Sequence, residues 1–233
     1  MPIGIDYETV EFTTLPLTKT TTIAVVGRES SGKTNWLSLV MDYCQQNVFD
    51  YSVKAYLVDS YEKQLEKFAE CGFVERYTID TSEIETIFSE FEEELAERKE
   101  LVQDEGIEAL NDKPLLMCVI ENSGIFESNA LSKQAVESYK KIINNYKQFK
   151  VIIIFSNVPN VATGYGAPEM LKQIKDVNEC YIFEDLNNVK LMDFNAATLR
   201  QYKKPIELGD AYKVTSDGTI NKIRTIHNTK GDE

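Results

Sequence analysis

Short apolar runs alternate with longer amphipathic segments along most of this chain. Apolar, β-branched runs typical of buried strands span 20–27, 52–60, 115–120 and 149–157. Apolar residues recur at helical spacing in the segments between them, 33–47, 61–72, 80–103 and about 130–147. This alternation predicts an α/β fold, in which helices cover both faces of a mostly parallel central sheet.

The two ends of the chain are predicted to belong to the same domain. A short helix over 167–174 and a strand over 179–183 precede an alternating segment around Asp217-Gly218, which predicts a C-terminal β-hairpin. We divide the chain into three parts. Residues 1–19 are a lead-in segment or edge strand packed on the domain, residues 20–228 are the domain itself, and residues 229–233 are a disordered tail.

Charge and cysteine usage narrow the class of protein. The chain carries 25 Lys and Arg against 38 Asp and Glu, and its net charge of −13 opposes binding to a polyanion such as nucleic acid. The 4 cysteines show no C-x-x-C spacing and the chain has 1 His, so reduced thiols are expected rather than a zinc site. No stretch is apolar enough to predict a signal peptide or direct insertion into a membrane.

One motif carries specific chemistry. Residues 27–34 match G-x-x-x-x-G-K-[ST] between an apolar strand and an amphipathic helix, the context that a phosphate-binding loop requires. The glycines allow backbone N–H groups to face a phosphate, Lys33 reaches the β- and γ-phosphates, and the Thr34 hydroxyl ligates Mg²⁺. We therefore predict that ATP and Mg²⁺ are bound by Gly27, Arg28, Glu29, Ser30, Ser31, Gly32, Lys33, Thr34 and Asn35.

The residues expected to drive hydrolysis are altered. Hydrolysis needs a carboxylate near the metal and usually a second one to activate the water. The strand over 115–120 is followed by Glu121, the predicted second Mg²⁺ ligand, and by Asn122, whose amide has no useful basicity. Ser156 and Asn157 at the end of a further strand either sense the γ-phosphate or satisfy backbone groups there.

Two other acids offer alternative roles. Asp59 ends the strand over 52–60, where it could bind Mg²⁺ or cap the following helix. Glu127 could reach the site from the loop after 115–120, or remain an exposed loop residue.

These motifs together resemble the FtsK/SpoIIIE-type ATPases, and more closely the C-terminal ATPase domain of the EccC/EssC ATPases of type VII secretion systems. Besides the phosphate-binding loop, the similar stretches are "PIGIDYETVEFTTLPL", "YLVDSYEKQLEKF", "VIIIFSNVPNV" and "KPIELGDAYKV". The resemblance implies a RecA-like fold and a cytoplasmic domain of a membrane-anchored secretion ATPase. It also implies contacts with other ATPase domains and recognition of a secreted WXG100-type substrate.

The resemblance also assigns roles to the altered residues. It aligns Glu121 with the Walker B Asp, Asn122 with the catalytic Glu, Asn157 with a sensor Gln, and Val158 with a commonly basic position. These departures predict a substrate-recognising domain with degenerate or weak ATP hydrolysis, and the alternatives are an active ATPase that powers export or a DNA translocase. Candidate groove residues for the substrate, for which core or loop packing is the alternative role, are Ile125, Phe126, Leu131 and Tyr165.

Overall fold

The computed structural model describes residues 1–46 and 51–228, without the side chain of Asp176, so the predicted tail at 229–233 lies outside the described residues. The strands are β1 (Pro2–Asp6), β2 (Phe12–Thr14), β3 (Thr22–Gly27), β4 (Val53–Val58), β5 (Val74–Thr78), β6 (Leu115–Ile120), β7 (Val151–Val158), β8 (Glu179–Phe183), β9 (Asp210–Thr215) and β10 (Ile220–Thr225). The α-helices are α1 (Lys33–Gln45), α2 (Glu83–Glu105), α3 (Lys133–Asn145), α4 (Glu169–Gln173) and α5 (Ala196–Gln201).

The strands form one mixed sheet in the order β2-β1-β10-β9-β8-β3-β7-β6-β4-β5. From β8 to β5 in that order every neighbouring pair is parallel, whereas β9, β10, β1 and β2 are added antiparallel. The predicted α/β class and the C-terminal hairpin, formed by β9 and β10, are confirmed. The lead-in segment supplies two strands at one end of this sheet.

Burial on both faces explains why the central strands are continuously apolar. Every residue of β6 is buried, and helices pack against both sides of the sheet. Trp36 and Leu37 of α1 belong to the core on one face, whereas Phe88 of α2 and Tyr139 of α3 belong to the core on the other. No helix in the described ranges is long and apolar enough to cross a bilayer.

The segment over 61–72 is not the predicted helix. It is an irregular loop with one short 3₁₀ turn at Glu66–Phe68. Lys63 has φ 55°, a left-handed conformation that interrupts a helix, and the Asp59 carboxylate accepts the Leu65 N–H at 2.8 Å. The loop leads into the edge strand β5, for which no strand was predicted.

Candidate functional site

The candidate site lies at the edge of the sheet where β3, β6 and β7 end. Because β7 lies between β3 and β6, the loop after β3 and the residues after β6 meet across the end of β7. Ligands of open α/β sheets bind at this carboxyl edge. Most of the predicted site residues line one cleft of about 960 Å³ here: Gly27, Glu29, Ser30, Lys33, Thr34, Glu121, Asn122 and Asn157.

Close packing and backbone geometry account for the two glycines of the phosphate-binding loop. A Cβ atom on Gly27 would lie 2.7 Å from the Cβ of Phe183 and 2.8 Å from its carbonyl oxygen, so a side chain is excluded by β8. Gly32 has φ 106°, which favours glycine, and it immediately precedes α1. The positive end of α1 therefore points into the loop, with no acidic residue in the first turn to neutralise it.

Lys33 lies within the loop it is predicted to serve. Its Nζ donates to the carbonyl oxygens of Gly27 at 2.9 Å and Arg28 at 2.6 Å. Burial lowers the pKa of Lys33, and the negative charges of Glu121 and Glu29 oppose that shift. The loop carbonyls thus hold the ammonium group in place, and the nearby anions favour its charged form, as a phosphate-binding lysine requires. Arg28, by contrast, is exposed.

Glu121 is bonded within the protein through both carboxylate oxygens. Its Oε2 accepts the backbone N–H of Ser60 at 3.2 Å, and its Oε1 accepts from the side-chain amide of Asn157. Only 2% of Glu121 is exposed, and this burial raises the pKa of the carboxyl against the lowering effect of the Ser60 hydrogen bond. Asn157 therefore orients the Glu121 side chain. Among the acidic residues of the cleft, Glu121 is our candidate ligand for the metal.

Asn122 is engaged in the protein backbone. Its Nδ2 donates to the carbonyl of Asp59 at 3.0 Å and weakly to that of Ile79 at 3.5 Å, while its Oδ1 accepts the Gly124 N–H at 2.9 Å. The amide thereby ties together the ends of β4, β5 and β6. These contacts need a donor and an acceptor on one side chain, which a carboxylate does not provide.

The alternative acids differ in their surroundings. Asp59 is fully buried and accepts from the backbone N–H groups of Ser60 and Leu65 and from the hydroxyl of Tyr77. The helix that Asp59 was predicted to cap is not formed, and its carboxylate instead holds backbone N–H groups of the loop after β4. Glu127 is exposed, yet it lines the cleft.

A second cavity, of about 520 Å³, opens on the other side of the phosphate-binding loop. Residues 30–35 form one wall, and residues from β10 and the turns beside it form the other. Sequence reasoning missed the four side chains on that second wall: Leu208, Arg224, Thr225 and His227. No local motif marks them, because the pairing of β1, β9 and β10 brings them to the loop.

Asn35 contacts the chain that follows β10. Its Nδ2 donates to the carbonyl of Ile226 at 3.0 Å, and its Oδ1 accepts the N–H of Asn228 at 2.8 Å. The Asn35 side chain therefore holds a protein segment beside the predicted ligand.

The groups along the loop fit a triphosphate and its metal. The hydroxyl of Ser31 is buried and has no hydrogen-bond partner among the described residues, and the positive end of α1 supplies backbone donors. Thr34 and Glu121, which line the same cleft, are the oxygen donors that would hold Mg²⁺.

Comparison with solved structures finds the same fold in other proteins. The chain superposes on Thermomonospora curvata EccC ATPases 2 and 3, solved with a signal sequence peptide, at TM-score 0.73 and 14% identity, covering 98% of this chain and 40% of that one. It matches EssC ATPases 2 and 3 from Geobacillus thermodenitrificans at TM-score 0.66 and 16% identity, over 97% of this chain and 40% of that one. No family model and no curated protein matches the sequence.

A further structural match carries an ATP analogue. The pCW3 conjugation coupling protein TcpA, solved with ATPγS, gives a TM-score of 0.73 at 16% identity, over 100% of this chain and 67% of that one. Fold and loop together define the chain as having the FtsK/SpoIIIE-type P-loop ATPase fold. More particularly, it matches the ATPase domains of EccC and EssC over nearly its whole length, and it spans 40% of those chains.

Proposed function

We propose that this chain is an ATP-binding domain of a type VII secretion ATPase, that it hydrolyses ATP weakly, and that it recognises an export substrate. The intact phosphate-binding loop, with Lys33 and the start of α1 directed into it, supports ATP binding. The observation that carries weak hydrolysis is the hydrogen bonding of Asn122, whose amide is fully engaged with backbone groups.

We expect weak hydrolysis because of the residue that follows Glu121. The position after Glu121 holds an amide, which neither takes a proton from water nor turns freely toward it, because three backbone groups hold it. Loss of a general base lowers a rate by about 10²–10⁴-fold. Glu121 and Thr34 would hold Mg²⁺, so the metal and nucleotide would stay bound while the chemical step is slow.

The test combines calorimetry with phosphate release. We expect Mg-ATP to bind the purified chain with a Kd of about 100 μM or below, since P-loop contacts to phosphate are charge-assisted. Lys33→Ala should abolish the binding heat, and Lys99→Ala, an exposed lysine on α2, serves as the matched control. Turnover that exceeds about one per minute and disappears in Lys33→Ala would overturn the proposal of weak hydrolysis, because the expected rate is lower by the missing base.

Substrate recognition has a candidate surface at the start of α3. A groove of about 450 Å³ lies between the loop after β6, α3 and α4, and its apolar floor includes Ile125, Leu131, Val136 and Met170. Charged residues of both signs, including Lys133 and Glu169, line it as well. An apolar floor with a charged rim suits an amphipathic helix. Phe126 is buried in the core, and Tyr165 is exposed in the adjoining loop.

A binding assay can test this groove. Leu131→Glu should weaken the binding of a helical C-terminal peptide from a WXG100-type protein by about tenfold, because a carboxylate would be placed on the apolar floor. Val161→Glu makes the same change at an exposed aliphatic residue outside the groove and should leave affinity unchanged. Fluorescence anisotropy measures both, and an equal loss in the two variants would argue against the groove.

A further inference from the structure

We propose that Glu127 is the general base for the slow hydrolysis of ATP, and that an export substrate in the groove at the start of α3 raises turnover by fixing this side chain. The inference rests on the proposed function and deepens it, since it names the base for the weak reaction and the way in which the substrate regulates it. Glu127 lines both the cleft of about 960 Å³ and the groove of about 450 Å³, and among the described residues it is the one that the two share.

The chain passes from the cleft to the groove within a few residues of the end of β6. Glu121 and Asn122, which directly follow β6, line the cleft. Residues 128–133, which directly follow Glu127, line the groove and not the cleft. A peptide bound in the groove would therefore contact the loop that carries Glu127, while the γ-phosphate of a bound nucleotide would lie on the other side of the same residue.

The backbone on the cleft side of Glu127 is anchored. The Oδ1 of Asn122 accepts the Gly124 N–H at 2.9 Å and caps the short 3₁₀ turn Ser123–Phe126. Phe126 of this turn is buried in the core, and the N–H of Glu127 donates to the carbonyl of Gly124 at 3.1 Å. The Asn122 amide, which cannot act as a base itself, thus holds the turn that brings a carboxylate to the cleft.

The side chain of Glu127 and the loop after it are less constrained. The side chain is exposed, and its carboxylate has no hydrogen-bond or ion-pair partner among the described residues. Residues 128–130 are exposed or partly exposed, and Asn129 has φ 62°. The far end of the loop is fixed at Ser132, whose hydroxyl accepts the Ala135 N–H at 3.0 Å and caps α3. The carboxylate can therefore turn between solvent, cleft and groove.

A carboxylate at this place can perform the step for which Asn122 lacks basicity. Both oxygens of Glu121 are hydrogen-bonded within the protein, whereas those of Glu127 can accept a proton. The Glu127 carboxylate takes one proton from a water molecule as the water oxygen bonds to the γ-phosphorus. The bond between that phosphorus and the bridging oxygen breaks, its electron pair leaves with ADP, and the proton then passes to bulk water. Because the base is not fixed, it is in position for only part of the time, which keeps turnover slow.

A substrate in the groove would reduce this freedom. An amphipathic helix on the apolar floor would cover residues 128–131 and the groove side of Glu127, so the carboxylate would lose positions that face away from the cleft. The opposite wall, α4, is held by the buried side chain of Leu171 and by the ion pair of Lys140 with Glu169 at 3.1 Å. The loop that carries Glu127 is therefore the wall that adjusts, and fixing a reacting group raises its rate.

Single-turnover assays with radiolabelled ATP and excess protein test the base, with Lys33→Ala as the background rate. Glu127→Gln should slow phosphate release about 10- to 100-fold, at the low end of what a general base contributes. Its calorimetric Kd for Mg-ATP should stay within about twofold of wild type, because a base acts in the chemical step. Glu127→Asp keeps the carboxylate on a shorter side chain and should give an intermediate rate. Glu108→Gln, an exposed acid that lines neither cavity, should change neither quantity.

A second assay tests the regulation by substrate. It adds the helical C-terminal peptide from a WXG100-type protein at a concentration that fluorescence anisotropy shows to be saturating for each variant. Wild-type turnover should rise about tenfold, because the peptide fixes an existing base. Glu127→Gln should rise by less than about twofold with the same peptide bound. An equal rise in the two proteins would overturn the regulation through Glu127.

The outcomes distinguish this inference from the proposed function. A Glu127→Gln rate that equals wild type, whether or not Mg-ATP binds more tightly, overturns the base while ATP binding and weak hydrolysis stand. A wild-type rate that equals that of Lys33→Ala, with and without peptide, overturns the base and the weak hydrolysis and leaves ATP binding. A peptide that does not bind overturns substrate recognition and the regulation together, and the basal rates still decide the base. A wild-type chain that binds no Mg-ATP overturns both proposals.

Discussion

Two ends of parallel strands face each other in this cleft, and the protein uses their polar groups differently. After β3, the loop leaves the Ser31 hydroxyl without a partner among the described residues, and the start of α1 points into the cleft. After β6, both oxygens of Glu121 and both ends of the Asn122 amide are hydrogen-bonded within the fold. The loop end therefore keeps an unpartnered hydroxyl for a ligand, whereas the polar groups after β6 are already hydrogen-bonded within the fold, including Glu121, the residue that would hold Mg²⁺.

The difference separates binding from catalysis. A phosphate can be bound by the helix end and Lys33 alone, because these groups supply positive potential without a proton transfer. Activation of water needs a base that is free to reach it. The contrast therefore supports the proposal that this domain binds ATP and hydrolyses it slowly.

The largest expected effect compares Lys33 with Glu121. Lys33→Ala should weaken Mg-ATP binding by more than about 100-fold, because charge-assisted contacts to two phosphates are lost at about 1.5–3 kcal/mol each. Glu121→Gln should weaken it by less than about tenfold, because much of the Glu121 hydrogen bonding is internal. Calorimetric titration measures both. Similar losses in the two variants would show that the β6 end contributes as much to binding as the loop.

The next effect concerns Asn122, where the residue expected of an active enzyme should not restore activity. Asn122→Glu removes the donor to the Asp59 and Ile79 carbonyls and buries a charge beside them, so the free energy of unfolding should fall by about 2–4 kcal/mol. Phosphate release should not increase. Urea unfolding and a phosphate assay report the two quantities.

A control for that substitution is available on the surface. Asn111→Glu makes the same change at an exposed residue and should alter stability by less than about 0.5 kcal/mol. A stable Asn122→Glu protein with turnover raised more than tenfold would mean that only the missing carboxylate limits hydrolysis.

The sequence predicted the central strands and missed the edge strand for the same physical reason. β3, β6 and β7 are buried on both faces, so their apolar runs are nearly uninterrupted. β5 lies at the end of the sheet and carries Glu75 and Arg76, so no apolar run marks it. The helix predicted over 61–72 failed because the Asp59 carboxylate holds the Leu65 N–H, a contact that helical spacing does not reveal.

The site was predictable only where one short stretch contains all of its groups. The loop over 27–34 is contiguous, so its chemistry is readable from the sequence. The hydrogen bond between Asn157 and Glu121 depends on β7 lying beside β6. The hydrogen bond from Asn35 to the Ile226 carbonyl joins residues about 190 positions apart. Strand order in a sheet is a property of the whole fold, so local patterns could not predict that Leu208 and His227 lie beside the phosphate-binding loop.

The smallest predicted effect is the pH dependence of stability that follows from the burial of the Glu121 carboxyl. Burial raises the pKa of the Glu121 carboxyl above its ordinary value of 4.5, so the folded protein binds this proton more tightly than the unfolded chain does. The stabilising contribution is fully present below pH 4.5 and is lost as the pH rises through the folded-state pKa. Glu121→Gln has no such proton, and the other titrating groups are shared with wild type. The variant's free energy of unfolding relative to wild type should therefore rise with pH from about 4.5 upward and then level off. Urea unfolding of both proteins from pH 4.5 to 8 measures this difference, and a flat difference would show that the internal hydrogen bonds fully compensate burial of the charge.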